Sequence, residues 1–274
     1  MNALLEQIEP LIPAFLSDPP DAAVASASRR ACEVALPTTE RLAGLQDWMA
    51  EDNDAAAEFV VSELASNELA PDWRNVLIYA AESVRFRDPG CRLQAVDVLL
   101  RNAASLRRSN DQGVAEVVWC AIHRIGSIIP IGRANELAAF LCPSDPIDTR
   151  LATLQAVVRI FEVAPPTVLK QFAELAERSV ILAKKHWDPD VFAAGDNSAI
   201  AIEATVATAA LADRRVLELV DLAANVGRSW VMGKLQRRFD ELLRFWQSAS
   251  DSSIARSLVQ DAAKRASQPV VMRM

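Results

Sequence analysis

Asp88-Pro89-Gly90-Cys91-Arg92-Leu93-Gln94-Ala95-Val96 is answered 57 residues later by Asp145-Pro146-Ile147-Asp148-Thr149-Arg150-Leu151-Ala152, with one extra residue before the Arg-Leu pair. Both phrases open an apolar helical pattern: Val98, Leu99 and Leu100 follow the first, Leu154, Val157 and Val158 the second. The order of residues has a physical logic. An Asp side chain accepts hydrogen bonds from the orphan amides of a helix N-terminus, and proline fixes the first turn, where its missing N–H costs nothing. The arginine one turn on can reach acidic or carbonyl groups of a neighbouring turn. Weaker echoes begin at Asp18-Pro19 and Asp188-Pro189.

Working outward, prolines and Asp/Ser/Asn clusters punctuate the whole chain between segments of 3.6-residue apolar periodicity. The segments predict about fourteen helices, near 2–16, 20–35, 38–50, 53–67, 72–87, 90–108, 112–129, 132–142, 146–163, 166–185, 197–212, 214–225, 228–248 and 251–267. In the fifth, Val76, Leu77, Ala80, Ala81 and Val84 form one stripe; in the tenth, Leu169, Phe172, Leu175, Ala176 and Ser179 share a face opposite Lys170, Glu174 and Glu177. Such stripes must be covered by neighbouring helices. Short connections make consecutive helices antiparallel. No strand-like run or Asn-Gly hairpin turn is visible.

The Asp-Pro-x-x-Arg-Leu-x-Ala phrase opening a helix resembles HEAT-type repeats. The alternation of helices over 18–225 is similar to that superfamily's α-solenoid. A 57-residue spacing exceeds the ~40–47 residues of one HEAT unit, so the repeat is degenerate. The resemblance implies an all-α, HEAT-like solenoid forming one domain over 1–274, with a subdivision near 186–196 as the alternative. It also implies a scaffold, adaptor or inhibitory subunit whose surface grips another protein.

Composition narrows the function classes. The 274 residues are 51% hydrophobic and 24% charged, with 8 glycines and a net charge of −7, a globular balance. The acidic excess argues against a general nucleic-acid binder, which needs surplus Lys and Arg. No apolar run reaches the ~18 residues of a membrane span. The start, Met-Asn-Ala-Leu-Leu-Glu, lacks the basic region of a secretory signal, so a cytoplasmic protein is expected. Cys32, Cys91, Cys120 and Cys142 lie far apart inside apolar helical patterns and read as reduced core thiols.

Catalytic motifs are scarce. Only His123 and His186 are available. Cys120 and His123 stand at helical i, i+3 spacing, with no acidic group in sequence reach to orient the imidazole. Gly227-Arg228-Ser229-Trp230-Val231-Met232-Gly233-Lys234-Leu235 has five residues between its glycines, Leu in place of the magnesium-binding Ser or Thr, and no preceding strand; it is not a phosphate loop. No metal or cofactor fingerprint is read, and no catalytic residue is assigned.

Three candidate regions stand out. The segment at 228–248 interleaves Trp230, Lys234, Arg237, Arg238, Arg244 and Trp246 with apolar residues, and Trp and Arg are frequent interface anchors. Within it, Phe245 or Trp246 is the expected exposed aromatic. An acidic surface is expected from Asp47, Glu51, Asp52 and Asp54, which fall in a stretch between Arg41 and Arg74 without a basic residue. The two opposite charges also leave open head-to-tail self-association. The stretch from Lys184 to Asn197 has no clear helical period and carries His186, Trp187, Asp188 and Asp190, a candidate loop site whose alternative role is helix capping and anchoring. The leading reading is a protein-interaction module without activity of its own. A nucleic-acid-binding or DNA-repair protein using the C-terminal Arg/Trp surface, as some HEAT-like proteins do, comes second, and an enzyme using 186–196 third.

Overall fold

The computed structural model describes residues 38–66, 69–108, 112–163, 165–166, 169–193, 198–248 and 253–268. The helices expected at 2–16 and 20–35, and Cys32, lie outside them. Among the described residues there are twelve α-helices, three 3₁₀ segments and no strand, so the described part of the chain is all-α. The contacts divide the described residues into two units: those within 38–106 and 112–128, and those within 107–108 and 129–268.

Unit 1 contains α1 (Thr38–Glu51), α2 (Asn53–Leu64), α3 (Pro71–Ser83), α4 (Pro89–Leu106) and α5 (Gln112–Ile128). Local chemistry starts α2, α3 and α4. Asp52 Oδ1 accepts from Ala55 N (3.1 Å) at the head of α2, Pro71 opens α3, and Asp88 Oδ2 accepts from Cys91 N (2.6 Å) at the head of α4. The α3 stripe of Val76, Leu77, Ala80, Ala81 and Val84 is buried, joined by Trp73. Each helix packs on its next-but-one neighbour: α1 on α3, α2 on α4, α3 on α5. Polar clips close the layers. Asn53 donates Nδ2 to the Arg85 carbonyl (2.6 Å) and accepts from the Arg85 amide (2.8 Å). Arg92 Nε donates to the Ile128 carbonyl at the end of α5 (2.5 Å).

Unit 2 contains a 3₁₀ segment (Ile131–Phe140), α6 (Ile147–Glu162), a 3₁₀ turn (Leu169–Phe172), α7 (Ala173–His186), α8 (Pro189–Ala193), α9 (Ser198–Ala210), α10 (Val216–Asn225), α11 (Ser229–Phe245), a 3₁₀ turn (Trp246–Ser248) and α12 (Ser253–Ser267). The α-helix expected at 132–142 is 3₁₀ instead. Its buried residues are Ala134, Leu137, Ala138 and Phe140, and three of the four recur every third position, as three residues per turn would place them. At the centre lies α9, buried on nearly every side and packed on α6, α7, α10, α11 and α12. Its Ala, Val and Thr side chains allow that crowding, and Thr205 and Thr208 return their hydroxyls to Ala201 and Ala204 carbonyls (2.8 Å each). Two indoles fix the surrounding helices. Trp187 Nε1 donates to Thr205 Oγ1 (2.9 Å), and Trp246 Nε1 to the Phe161 carbonyl (2.8 Å).

Candidate interaction surface

The helix α11 sorts its residues cleanly between two faces. Val231, Leu235, Phe239 and Leu242 point into unit 2, and Trp246 continues that row into the following turn, 0% exposed. Trp230, Lys234, Arg237, Arg244 and Phe245 point outward. Spacings of four, three, seven and one residues put them on one stripe at 3.6 residues per turn. Trp230 is 46% exposed and Phe245 54%. The Lys234 ammonium lies 5.0 Å from the Trp230 ring centroid, a cation–π contact one turn along the helix. Two aromatic anchors therefore flank three cations along a path of roughly 22 Å, at 1.5 Å per residue.

Two residues of the expected set serve the fold instead. Trp246 is not an exposed anchor, because its indole fills the core and its N–H is spent on Phe161. Arg238 is half-buried and bridges Glu203 Oε2 on α9 (3.2 Å) and Glu241 Oε2 on its own helix (2.8 Å). Burial pushes the Glu203 carboxyl above the ordinary carboxylate range, while the Arg238 guanidinium pulls it back. The charge of Arg238 answers a largely, though not fully, buried carboxylate rather than the solvent.

The 186–196 candidate region is also drawn into the fold where it is described. His186 is the last residue of α7 and buried, with Nε2 3.5 Å from Arg150 Nη1. Burial first, then the positive charges of Arg150 and Lys185, hold its pKa below the usual histidine value. Trp187 is buried and stacks on Phe192, with centroids 5.8 Å apart. Asp188 Oδ1 accepts from the amides of Asp190 (2.9 Å) and Val191 (3.4 Å), capping the short helix α8, while Asp190 is exposed. A five-residue helix is too short to display a 3.6-residue period, which is why the stretch reads as a loop.

The acidic residues Asp47, Glu51, Asp52 and Asp54 are all exposed. Asp52 caps α2, and Asp54 Oδ2 lies 3.7 Å from Arg87 Nη1. His123 faces Glu82 Oε1 at 3.3 Å, half-exposed. The neighbouring Cys120 thiol is pushed up to about 12 by burial and by Glu82 and Glu116, the opposite of an activated nucleophile. Gly227, with φ of +73°, ends α10, and Gly233 sits within α11. Among the described residues no cluster of three His, Cys, Asp or Glu is arranged to hold a metal ion. No described helix is long and apolar enough to cross a membrane.

Sequence reasoning missed the buried partner of His186, Arg150. Asp145 and Arg150 are buried polar residues of unit 2, and Arg107 Nε approaches Asp145 Oδ1 at 3.7 Å. The Asp-Pro phrase flagged Asp145 and Arg150, but as cap and reaching side chain rather than as a buried group. No family model, curated protein or solved structure matches the chain.

Proposed function

We propose that this chain is a protein-interaction module, a scaffold, adaptor or inhibitory subunit that acts by binding rather than by catalysis. In this reading its helices form HEAT-like stacked pairs, and the outward stripe of α11 engages an acidic, partly apolar surface of another protein. The observation that carries it is the segregation of α11. Five apolar residues lock one face into unit 2, while the opposite face leaves Trp230 and Phe245 in water around Lys234, Arg237 and Arg244. Aromatic and arginine side chains on a rigid element are what interface hot spots are made of.

The stacked-pair order is supported by the next-but-one contacts of unit 1 and by two such contacts in unit 2, where α9 packs on α11 and α10 on α12. The test is co-purification of the wild-type chain against a Trp230→Ala/Arg237→Glu/Arg244→Glu variant, with bound proteins identified by mass spectrometry. A specific partner retained by the wild type and lost by the variant is expected. A partner held equally by both overturns the surface. A single-stranded oligonucleotide bound at low salt and lost in the variant would turn the same stripe into a nucleic-acid site.

A further inference from the structure

Unit 2 contains a second feature, on residues separate from the α11 stripe. A groove of about 1010 Å³ runs between the start of α7, the turn joining α9 to α10, and the first half of α12. Phe172, Ala176, Leu211 and Leu258 supply buried apolar walls, and Leu217 is half-exposed. Ile254, also lining the groove, is 72% exposed.

The turn on one side is rigidly built. Ala212 has a left-handed φ of +55°, its amide donates to Ala209 O (2.9 Å), and the Asp213 amide donates to Thr208 O (3.1 Å). That pair of bonds is a Schellman cap with alanine where glycine is usual. Immediately after it, Arg215 grips Asp213 (Nη2 to Oδ2, 2.7 Å) and also pairs with Glu177 on α7. Two of the groove's three carboxylates thus share one guanidinium, and the third, Asp261, lies 4.0 Å from Lys264. Two cations are left. Lys170 and Arg214 are exposed in the groove lining and make no ion pair among the described residues.

An apolar trough with unpaired cations fits a ligand that is oily on one side and anionic beside it. We infer that this groove docks a short segment of a partner protein in which Leu, Ile or Phe side chains stand within one helical turn of Asp or Glu. A small-molecule pocket covers most of its ligand. This trough is open to solvent and covers one face only, as helix-in-groove recognition does. Apolar side chains would cover Ile254 and Leu217, and the carboxylate would take charge-assisted hydrogen bonds from Arg214 and Lys170.

The experiment selects a displayed library of random peptides of about twelve residues on the full chain. Enriched peptides are expected to combine Leu, Ile or Phe with Asp or Glu. Their affinity should fall at least about tenfold on Ile254→Asp and on Lys170→Glu/Arg214→Glu, whose substituted residues are solvent-exposed. The conservative pair Lys170→Arg/Arg214→Lys should retain binding, and so should Arg237→Glu/Arg244→Glu, which separates this groove from the α11 surface. Thermal unfolding midpoints matching the wild type confirm that each variant is folded. Enrichment of basic peptides, of none, or of peptides indifferent to the groove variants overturns the inference. Dodecanoate bound in the groove with no peptide enriched overturns it as well, in favour of a lipid carboxylate.

Discussion

The same phrase, Asp-Pro followed by Arg-Leu, opens α4 in unit 1 and α6 in unit 2, and the two copies do different physical work. In unit 1 Asp88 stays in water and caps its helix through Cys91 N, while Arg92 reaches across to the Ile128 carbonyl. In unit 2 the expected cap is absent. Pro146 occupies the capping position with no side-chain bond, and Asp145 turns inward to accept from Cys142 N (3.2 Å) beside Arg107. Arg150 is buried with it, close to His186. Burial lowers the Arg150 pKa and Asp145 offsets part of that shift. The extra residue before the second Arg-Leu goes with this change of role. The phrase specifies where a helix begins; the surroundings decide what its charges do.

The largest expected effect breaks the comparison at its two aspartates. Asp145→Ala removes the carboxylate beside two arginines, one of them buried, and should cost about 3–5 kcal/mol of stability. Asp88→Ala removes one cap from an exposed helix start and should cost about 1 kcal/mol. Urea-denaturation midpoints of the two variants measure the difference, and equal losses would mean that the two phrases are equivalent after all.

The next effect sharpens the contrast through pH. The folded-state pKa of His186 lies below the ordinary 6.5 because of burial and Arg150. The unfolded chain therefore takes up the proton first as pH falls. Stability should be level above about pH 7, then decline as pH drops below about 6.5 toward the depressed folded value. His186→Gln should remove that part of the slope. Midpoints followed from pH 8 to pH 5 (roughly the histidine range) that decline identically in both proteins would sink the assignment.

How much of this was legible follows from which distances the sequence encodes. The helical stripes at Val76–Val84 and Phe172–Ser179 were readable, because the spacing that makes them amphipathic is local. The inward row of α11 carried the same signal: Val231, Leu235, Phe239, Leu242 and Trp246 are spaced four, four, three and four apart. That spacing assigns Trp246 to the core and Phe245, one position away, to the surface. Reading the segment as one mixed apolar and basic patch blurred the distinction. The anchoring of Trp187 was among the readings the sequence offered, but its partner Thr205, 18 residues away, was not readable, nor was Glu203, the partner of Arg238, 35 residues away. The polar group around His186 was hidden for the same reason, with Arg150 36 residues from the imidazole it meets.

The smallest expected effect carries the comparison from helix starts to helix ends. Both α9 and α10 finish on a residue with positive φ, Ala212 at +55° and Gly227 at +73°. A left-handed alanine costs about 1–2 kcal/mol, whereas glycine accepts that geometry freely. Ala212→Gly relieves this strain, but it adds roughly 0.5–1 kcal/mol of unfolded-chain entropy and gives up a buried methyl. The balance is a gain of no more than about 0.5 kcal/mol. Gly227→Ala has open space around the added methyl, so its cost is backbone strain alone, about 1 kcal/mol. Opposite signs in the two midpoints are expected if φ governs both ends. A loss at Ala212→Gly as large as that at Gly227→Ala would mean that the Ala212 methyl, packed at the groove wall, outweighs its own strain.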